Sequence, residues 1–295
     1  MNRFDLNDGR KIVIKFIIIG VGATGSHFFR GLCQDLRAHL DNPNFMHSPE
    51  FSLDKIILID GDVVERKNIR TQLFTRECIT EKKVHSLSER YGDHYGIEVI
   101  PYPEYINDHE SLHKICMLPD HNYRKIFYLP VIIGMVDNNA TRVLLHEYFY
   151  DERVPNLIYI DTGVESVRST QNNDVIHSGF GGQVVTGFKY MGDVFLDPVG
   201  DVYPNVLDAS DSPFPGCGVQ SISSPQHSPT NKTAAQYANN IINNLLHTKS
   251  IYQHMINFNI QYGGSSPVLI SDSLEFEFNE CKQRAIKGHY KYGQY

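Results

Sequence analysis

No stretch of this chain strings together the roughly 18 apolar residues that a membrane-spanning helix requires, although hydrophobic residues fill 41% of its 295 positions. Met1 to Lys11 is polar and mixed in charge, without the apolar segment of a secretory signal. The five cysteines (Cys33, Cys78, Cys116, Cys217 and Cys281) are odd in number and far apart. No two of them form a CxxC pair, which argues against a disulfide framework and against a cysteine zinc site. The expectation is a reducing, cytoplasmic setting, with no membrane partner and no zinc. A basic excess is missing too: the formal net charge is -7. Nothing therefore favours a nucleic-acid partner, whose phosphates call for clustered Lys and Arg. Internal repeats and long low-complexity tails are absent. The 14 histidines read mostly as surface or packed residues.

What the chain does have is an alternation of strand-like and helix-like segments. Lys11 to Ile19 (KIVIKFIII) is a β-branched run ending at Gly20, as expected of a central strand buried on both faces of a parallel sheet. Apolar residues at helical spacing (Phe28, Phe29, Leu32, Leu36, Leu40) predict a helix over 26–40. The Pro/Asn/Ser-rich stretch 41–52 reads as a surface insertion. Further strands are predicted at 55–59, 97–102, 130–136 and 156–160, with helices at 80–91 and 138–150. This alternation calls for right-handed crossovers and a Rossmann-like, doubly wound, mostly parallel α/β sheet with helices on both faces. Past about Asp161 the texture changes. Short strand-like pieces at 182–188, 256–262 and 267–270 surround a loop-rich stretch at 198–230, and helices are predicted at 232–247 and 274–287. The expected organisation is a Rossmann-like core over 1–165 and, over 166–295, an extension of the same domain that adds antiparallel strands.

Gly20-Val21-Gly22-Ala23-Thr24-Gly25 matches GxGxxG between the first strand and the first helix. The first glycine permits the tight turn, the second lets backbone approach a phosphate or sugar, and the third lets the helix pack on the strand. The helix N-terminus offers free N–H groups and partial positive charge to an anion. The loop alone does not decide between ATP and NAD. The next strand ends at Asp60, with Asp62 two residues on, and either carboxylate suits ribose hydroxyls.

The segment LIDGDVVERKNIRTQLF resembles the form D-x-D-x-V-x-x-x-N-(L/I/V)-x-R-Q found after the second strand of ThiF, MoeB and the ubiquitin-activating enzymes. Asp60, Asp62, Asn68, Ile69 and Gln72 fit it. Lys83, in TEKKV, falls where that family has a lysine opening the next helix. Asp137, Asn138 and Arg142, in VDNNATR, correspond to the family's D-N-x-x-x-R after the fourth strand. One departure stands out: Thr71 holds the place of the family arginine, and Arg70 lies one residue earlier. Further on, Pro215-Gly216-Cys217, Gln226 and Asn231 resemble the ThiF family protein of PRTRC-type gene systems.

The resemblance implies an ATP-dependent adenylyltransferase that activates the C-terminal glycine carboxylate of a small ubiquitin-like or sulfur-carrier protein. Bringing a carboxylate to a polyanion requires charge neutralisation, which Lys, Arg and a carboxylate-held Mg²⁺ supply. Lys83 and Arg70 are assigned to phosphate, Asp137 to Mg²⁺, and Asp60 or Asp62 to ribose. Asn68 and Gln72 orient the phosphates or the substrate tail. Asn138, Arg142 and the loop Gly20, Gly22, Ala23, Thr24 and Gly25 complete the nucleotide set. Cys217 is either an acyl carrier that takes the substrate as a thioester or a packing residue. Relatives work as homodimers, with an N-terminal arginine (Arg3 or Arg10 here) entering the partner's site, and some serve a conjugating enzyme. Two rivals remain: a NAD-dependent oxidoreductase, which leaves Lys83 and Asp137 without a role, and a catalytically degraded nucleotide-binding scaffold, which the displaced arginine keeps open.

Overall fold

The computed structural model describes residues 1–42, 51–117, 125–168, 177–208 and 226–288. Its strands are β1 (Phe4–Asp5), β2 (Lys11–Ile19), β3 (Phe51–Ile59), β4 (Val99–Tyr102), β5 (Ile126–Gly134), β6 (Leu157–Val164), β7 (Gly181–Tyr190), β8 (Asp193–Leu196), β9 (Ser250–Ile251), β10 (Gln253–Asn259) and β11 (Gly264–Leu269). Its helices are α1 (Ala23–Leu40), α2 (Lys83–Leu87), α3 (His109–Cys116), α4 (Asn139–Phe149), α5 (Val199–Val202), α6 (Ser228–Thr248) and α7 (Asp272–Ile286).

Nine strands join in one sheet of order β11-β10-β7-β6-β5-β2-β3-β4, with β8 also on β7. From β4 to β6 every pairing is parallel. The β6–β7 pairing is antiparallel and carries the sheet on into β10 and β11. The arrangement is the mixed α/β fold read from the sequence.

Side chains of β2 alternate between two apolar layers. Ile12, Ile14, Phe16 and Ile18 join α1 and α6 on one face, while Ile17 and Ile19 join α3 and α4 on the other. A strand covered on both faces has no solvent side on which to place polar residues, hence the unbroken apolar run. Its one buried charge, Lys15, donates to the Ile115 carbonyl at the end of α3, 2.8 Å away. That carbonyl belongs to the negative end of the helix. No helix among the described residues is long and apolar enough to cross a membrane.

Several boundaries differ from the sequence expectation. β3 begins at Phe51, whose buried ring and pairing with Ile12 take back part of the 41–52 stretch; residues 43–50 lie outside the described residues. The helix expected over 80–91 starts only at Lys83, because Thr80 has φ 81° and the chain at Lys82 still pairs with Val63. It then passes into a π-helical turn, Ser88–Asp93. The α3 helix was not expected.

At the far end of β6, Lys189 of β7 is buried and donates to the Asp151 carbonyl at 2.9 Å. Burial holds its ammonium down at about 8. Below that pH the folded state carries a charge that the unfolded chain solvates better. Above it the native amine loses its proton while the unfolded one keeps it, so stability rises with pH up to about 10.5. Lys189→Met is expected to stabilise the fold at pH 7 by about 1–3 kcal/mol. In thermal melts its advantage over the parent should shrink between pH 8 and pH 10.

Candidate functional site

In doubly wound sheets ligands settle beyond the carboxyl ends of the strands, where the strand order reverses. Here that point lies between β2 and β5. Three chain turns converge on it: the glycine loop after β2, Asp60 to Asp62 after β3, and Asp137 after β5.

The glycine loop is tied into both neighbouring strands. Gly20 N–H donates to the Ile59 carbonyl at 2.9 Å, and Met135 N–H donates to the Ile19 carbonyl at 2.8 Å. Gly20 has φ +88°, and a Cβ there would lie 2.7 Å from the Met135 carbonyl oxygen. A Cβ on Gly25 would collide with the Gly20 carbonyl, so the third glycine is what lets α1 start against the strand. Gly22 ends the loop at the α1 N-cap position with no side-chain cap, and the first turn holds no acidic residue. The positive end of an 18-residue helix therefore faces the site without an internal counter-charge. Ala23 opens the helix. Thr24 is buried, and its hydroxyl donates to Asn231 Oδ1 of α6 at 2.8 Å.

Asp60 and Asp62, which the sequence left as alternatives, have different surroundings. Asp60 is buried; its carboxylate accepts Val21 N–H at 2.9 Å and Asp62 N–H at 2.8 Å. It braces the glycine loop from below, and burial raises its pKa despite Lys83. The Asp62 side chain is 46% exposed and accepts from Lys83 Nζ at 2.7 Å. Burial pushes its pKa up, but the Lys83 charge and hydrogen bonds outweigh that and hold it below the usual carboxylate range.

Lys83 is buried. Two antiparallel backbone links, Val64 N–H to the Glu81 carbonyl and Thr80 N–H to the Val64 carbonyl, bring it back to the acidic turn. Its own N–H then donates to the Asp62 carbonyl at 3.1 Å. Burial alone would lower this ammonium, yet the charges of Asp60, Asp62 and, further off, Asp137 hold it above its ordinary value. A lysine so held stays cationic throughout the physiological range. Asp137 itself is exposed and does not cap the helix that follows. Asn138 does that, accepting Thr141 N–H at 2.8 Å.

The other motif residues divide. Gln72 is brought to the loop: a Cβ on Gly22 would lie 3.9 Å from its Nε2, and its Oε1 is buried without a hydrogen-bond partner among the described residues. Asn68 is buried and accepts Glu65 N–H at 2.7 Å, closing a capping box for the 3₁₀ turn Arg66–Arg70. Arg70 ends that turn, exposed. In a three-residue turn a one-position shift swings a side chain by about 120°, and no contact brings this arginine to the glycine loop among the described residues. Arg142 is buried and consumed internally. Its Nε donates to Asp161 at 3.1 and 3.2 Å, and its Nη2 to the Val136 carbonyl at 2.8 Å and the Thr162 carbonyl at 3.1 Å. Rather than reaching a nucleotide, it is a strut that fixes the backbone beside Asp137. Arg10 is likewise engaged, with Asp8 and, at 3.5 Å, the Tyr190 hydroxyl. It precedes β2, at the opposite end of that strand from the glycine loop. Arg3 lies on the exposed N-terminal segment, 3.5 Å from the Tyr252 hydroxyl. Cys217 falls outside the described residues.

Sequence reasoning missed three contributors. Tyr105, an exposed aromatic in the loop between β4 and α3, donates its hydroxyl to Asp62. Ser26 Oγ accepts Leu73 N–H at 3.2 Å, fastening the Gln72 turn to α1. Asn139 Nδ2 donates to the Asp208 carbonyl at 3.3 Å, holding Asp208 at the start of α4, two residues from Asp137. The sequence also contains His109-Glu110-Ser111-Leu112-His113, the H-E-x-x-H spacing of zinc peptidases, which the reading of the histidines as packed or surface groups passed over. In the fold His109 faces Glu147 at 3.4 Å, Glu110 pairs with Arg153, and His113 meets the Tyr148 hydroxyl at 3.4 Å. Among the described residues no three His, Cys, Asp or Glu side chains are placed to hold a metal ion.

Solved structures share this fold. Selenomethionine PaaA aligns with a TM-score of 0.52 at 14% identity, over 90% of this chain and 65% of that one. E. coli MccB gives 0.52 at 17%, over 87% and 62%, and its ATP complex 0.51 at 17%, over 87% and 64%. This chain thus spans slightly less than two thirds of the length of these neighbours, and at such identities the likeness is one of fold. Among curated proteins no sequence matches. The ThiF family model matches residues 10–272, a span that holds the glycine loop, the acidic turn, Lys83, Asp137 and Asn231. The chain belongs to the ThiF family.

Proposed function

We propose that this chain is an ATP-dependent adenylyltransferase, and that its acceptor is the C-terminal carboxylate of a small ubiquitin-like or sulfur-carrier protein. The observation that carries the reading is Lys83: a buried ammonium held by Asp62 and Asp60, within electrostatic reach of Asp137, beside an uncapped helix N-terminus. A carboxylate oxygen of the acceptor attacks the α-phosphorus of ATP. The bond from that phosphorus to the bridging oxygen breaks, and pyrophosphate leaves with the electron pair, giving acyl-adenylate. Negative charge builds on phosphoryl oxygens, where Lys83 and the α1 N–H groups neutralise it. Asp60 or Asp62, the two carboxylates that follow β3, accepts from the ribose hydroxyls.

Mg²⁺ suits the donor set. It is ordinarily held by one or two carboxylates together with substrate phosphates rather than by a protein cage, and Asp137 is an exposed carboxylate within electrostatic range of Lys83. When bound, the ion shares neutralisation of the phosphates with Lys83. The MccB structures with ATP and with AMPCPP plus MccA support a nucleotide and a second substrate on this fold. Thioester transfer through Cys217, work as a homodimer and hand-over to a conjugating enzyme are further parts of the proposal. One observation favours the scaffold reading instead: the outward Arg70.

The test is exchange of radiolabelled pyrophosphate into ATP, with Mg²⁺ and candidate acceptor proteins. Acceptor-dependent label in ATP is the expected result. ATP binding without exchange, across acceptors ending in glycine, would establish the scaffold, and tight NAD(H) binding the oxidoreductase.

A further inference from the structure

Between Gln72 and Lys83 the chain turns through a segment that adenylation leaves unused, and Cys78 sits in it. Cys33, Cys116 and Cys281 are buried, whereas Cys78 is partly exposed. Burial pushes the Cys33 and Cys116 thiols up to about 12, which keeps them inert. Burial acts on Cys78 too, but the nearby Ser86 and Thr75 hydroxyls outweigh it and hold this thiol below its ordinary value. The Thr75 hydroxyl lies 3.2 Å from its sulfur. Cys78 opens on a cleft of about 400 Å³ that also carries Glu77, Glu81 and Glu89 against Arg90. Ser86 lines the same cleft. It is 4% exposed, and its Oγ makes no hydrogen bond of ordinary geometry among the described residues. A buried hydroxyl in that condition is one a ligand can satisfy.

The cleft is also joined to the candidate site. The Cys78 carbonyl accepts Glu81 N–H at 3.0 Å, and the Glu81 carbonyl accepts Val64 N–H at 2.8 Å, in the turn that returns Lys83 to Asp62. Ser86 lies one turn along α2 from Lys83. We propose that this cleft is a covalent site for small disulfides that carry an amine, and that the adduct on Cys78 slows adenylation by displacing α2 and Lys83. The Cys78 thiolate attacks one sulfur of the disulfide. An Sγ–S bond forms as the original S–S bond breaks, and the departing thiolate takes up the proton that Cys78 lost. Cys78 and one half of the reagent end as a mixed disulfide, and the other half leaves reduced. The bound half sets its ammonium among the glutamates, with Ser86 Oγ as a further acceptor, while the same carboxylates repel an anionic disulfide. Only the effect on adenylation rests on the function proposed above; the chemistry at Cys78 is independent of it.

The experiment treats the full chain with cystamine, a dication, and with dithiodiglycolate, a dianion, and locates the adduct by peptide mass spectrometry. Each rate is divided by that of the same reagent with 2-mercaptoethanol, so intrinsic reactivity cancels. Expected is a preference for cystamine at Cys78 of about 10-fold or more at low salt, shrinking in about 1 M NaCl. Glu77→Gln with Glu89→Gln should remove most of the preference and leave Cys78 reactive. Cystamine should slow ATP–pyrophosphate exchange by about 10–100-fold, as a small misplacement of a reacting group does. Dithiothreitol should restore it, and Cys78→Ala should keep its exchange through the treatment. Equal normalised rates for the two reagents, or cystamine found only on Cys217, overturns the site. Labelled Cys78 with unchanged exchange overturns the link to Lys83. Exchange absent before treatment removes the adenylation reading together with that link, while the labelling preference still decides the site.

Discussion

Lys83→Met is expected to slow ATP–pyrophosphate exchange by about 10²–10³-fold, the range found when one preorganised charge-stabilising group is removed. Methionine keeps the length and apolar stem of lysine, so the loss isolates the charge. The fold should survive, because the carboxylate set free on one side, Asp62, is 46% exposed and can be hydrated. Asp60 keeps the hydrogen bonds from Val21 and Asp62. Circular dichroism and a melting curve establish that the variant is folded; single-turnover adenylate formation establishes where the rate is lost. Exchange within a few-fold of the parent would remove Lys83 from the chemistry.

A second large effect is expected away from the phosphates. Asp161 is 1% exposed and Arg142 is its only cationic partner among the described residues. Burial raises the Asp161 pKa even with the guanidinium present. Arg142→Met leaves that carboxyl buried with only the Tyr159 hydroxyl, 3.0 Å away, and should cost about 3–5 kcal/mol, roughly 10 °C in Tm for a chain of this size. The loss has a pH signature. Without the arginine, Asp161 takes a proton in the folded state at a pH where the unfolded chain has already released it. Stability then falls as pH rises above the unfolded value of about 3.9, so the deficit should be smallest in acid and grow toward neutrality. Arg142→Met with Asp161→Leu should recover most of the loss, since replacing both members of a buried ion pair is commonly neutral. A flat pH dependence would show that the carboxyl is not the origin.

The contrast between these residues explains what the sequence discloses. The β2 run, the GxGxxG turn, the D-x-D after β3 and the lysine of TEKKV each depend on local spacing, and the parallel fold follows from their order. The structure brings Asp60, Asp62, Lys83 and Gln72 together with the glycine loop, with Asp137 in electrostatic range. Arg142 and Asn68 also match family positions, but spacing cannot tell a side chain aimed at a ligand from one consumed by Asp161 or by the Glu65 backbone. Tyr105 carries no local signal, since an aromatic in a polar loop is common and only the β4 crossover lays it over Gly61. The start of α2 was misplaced because Thr80 adopts a left-handed conformation, which for threonine is imposed by the pairing of 80–82 with 63–64 rather than by its own preference. The β3 strand, expected over 55–59, was shortened for a related reason: a sheet partner extends a strand beyond its apolar run, as Ile12 does for Phe51.

The hydrogen bond between Thr24 and Asn231 joins residues 207 positions apart. The glycine turn is translated early, with β2 and α1, but the side chain that secures its threonine is made far later. At ribosomal rates the interval is about 10–40 s. During that time the first half of the sheet can assemble while its glycine loop lacks the anchor from α6. A nascent chain halted before Asn231 therefore carries the whole glycine loop, the acidic turn, Lys83 and Asp137 and still lacks the side chain that fastens Thr24, so the loop is completed late in biogenesis rather than with its own residues.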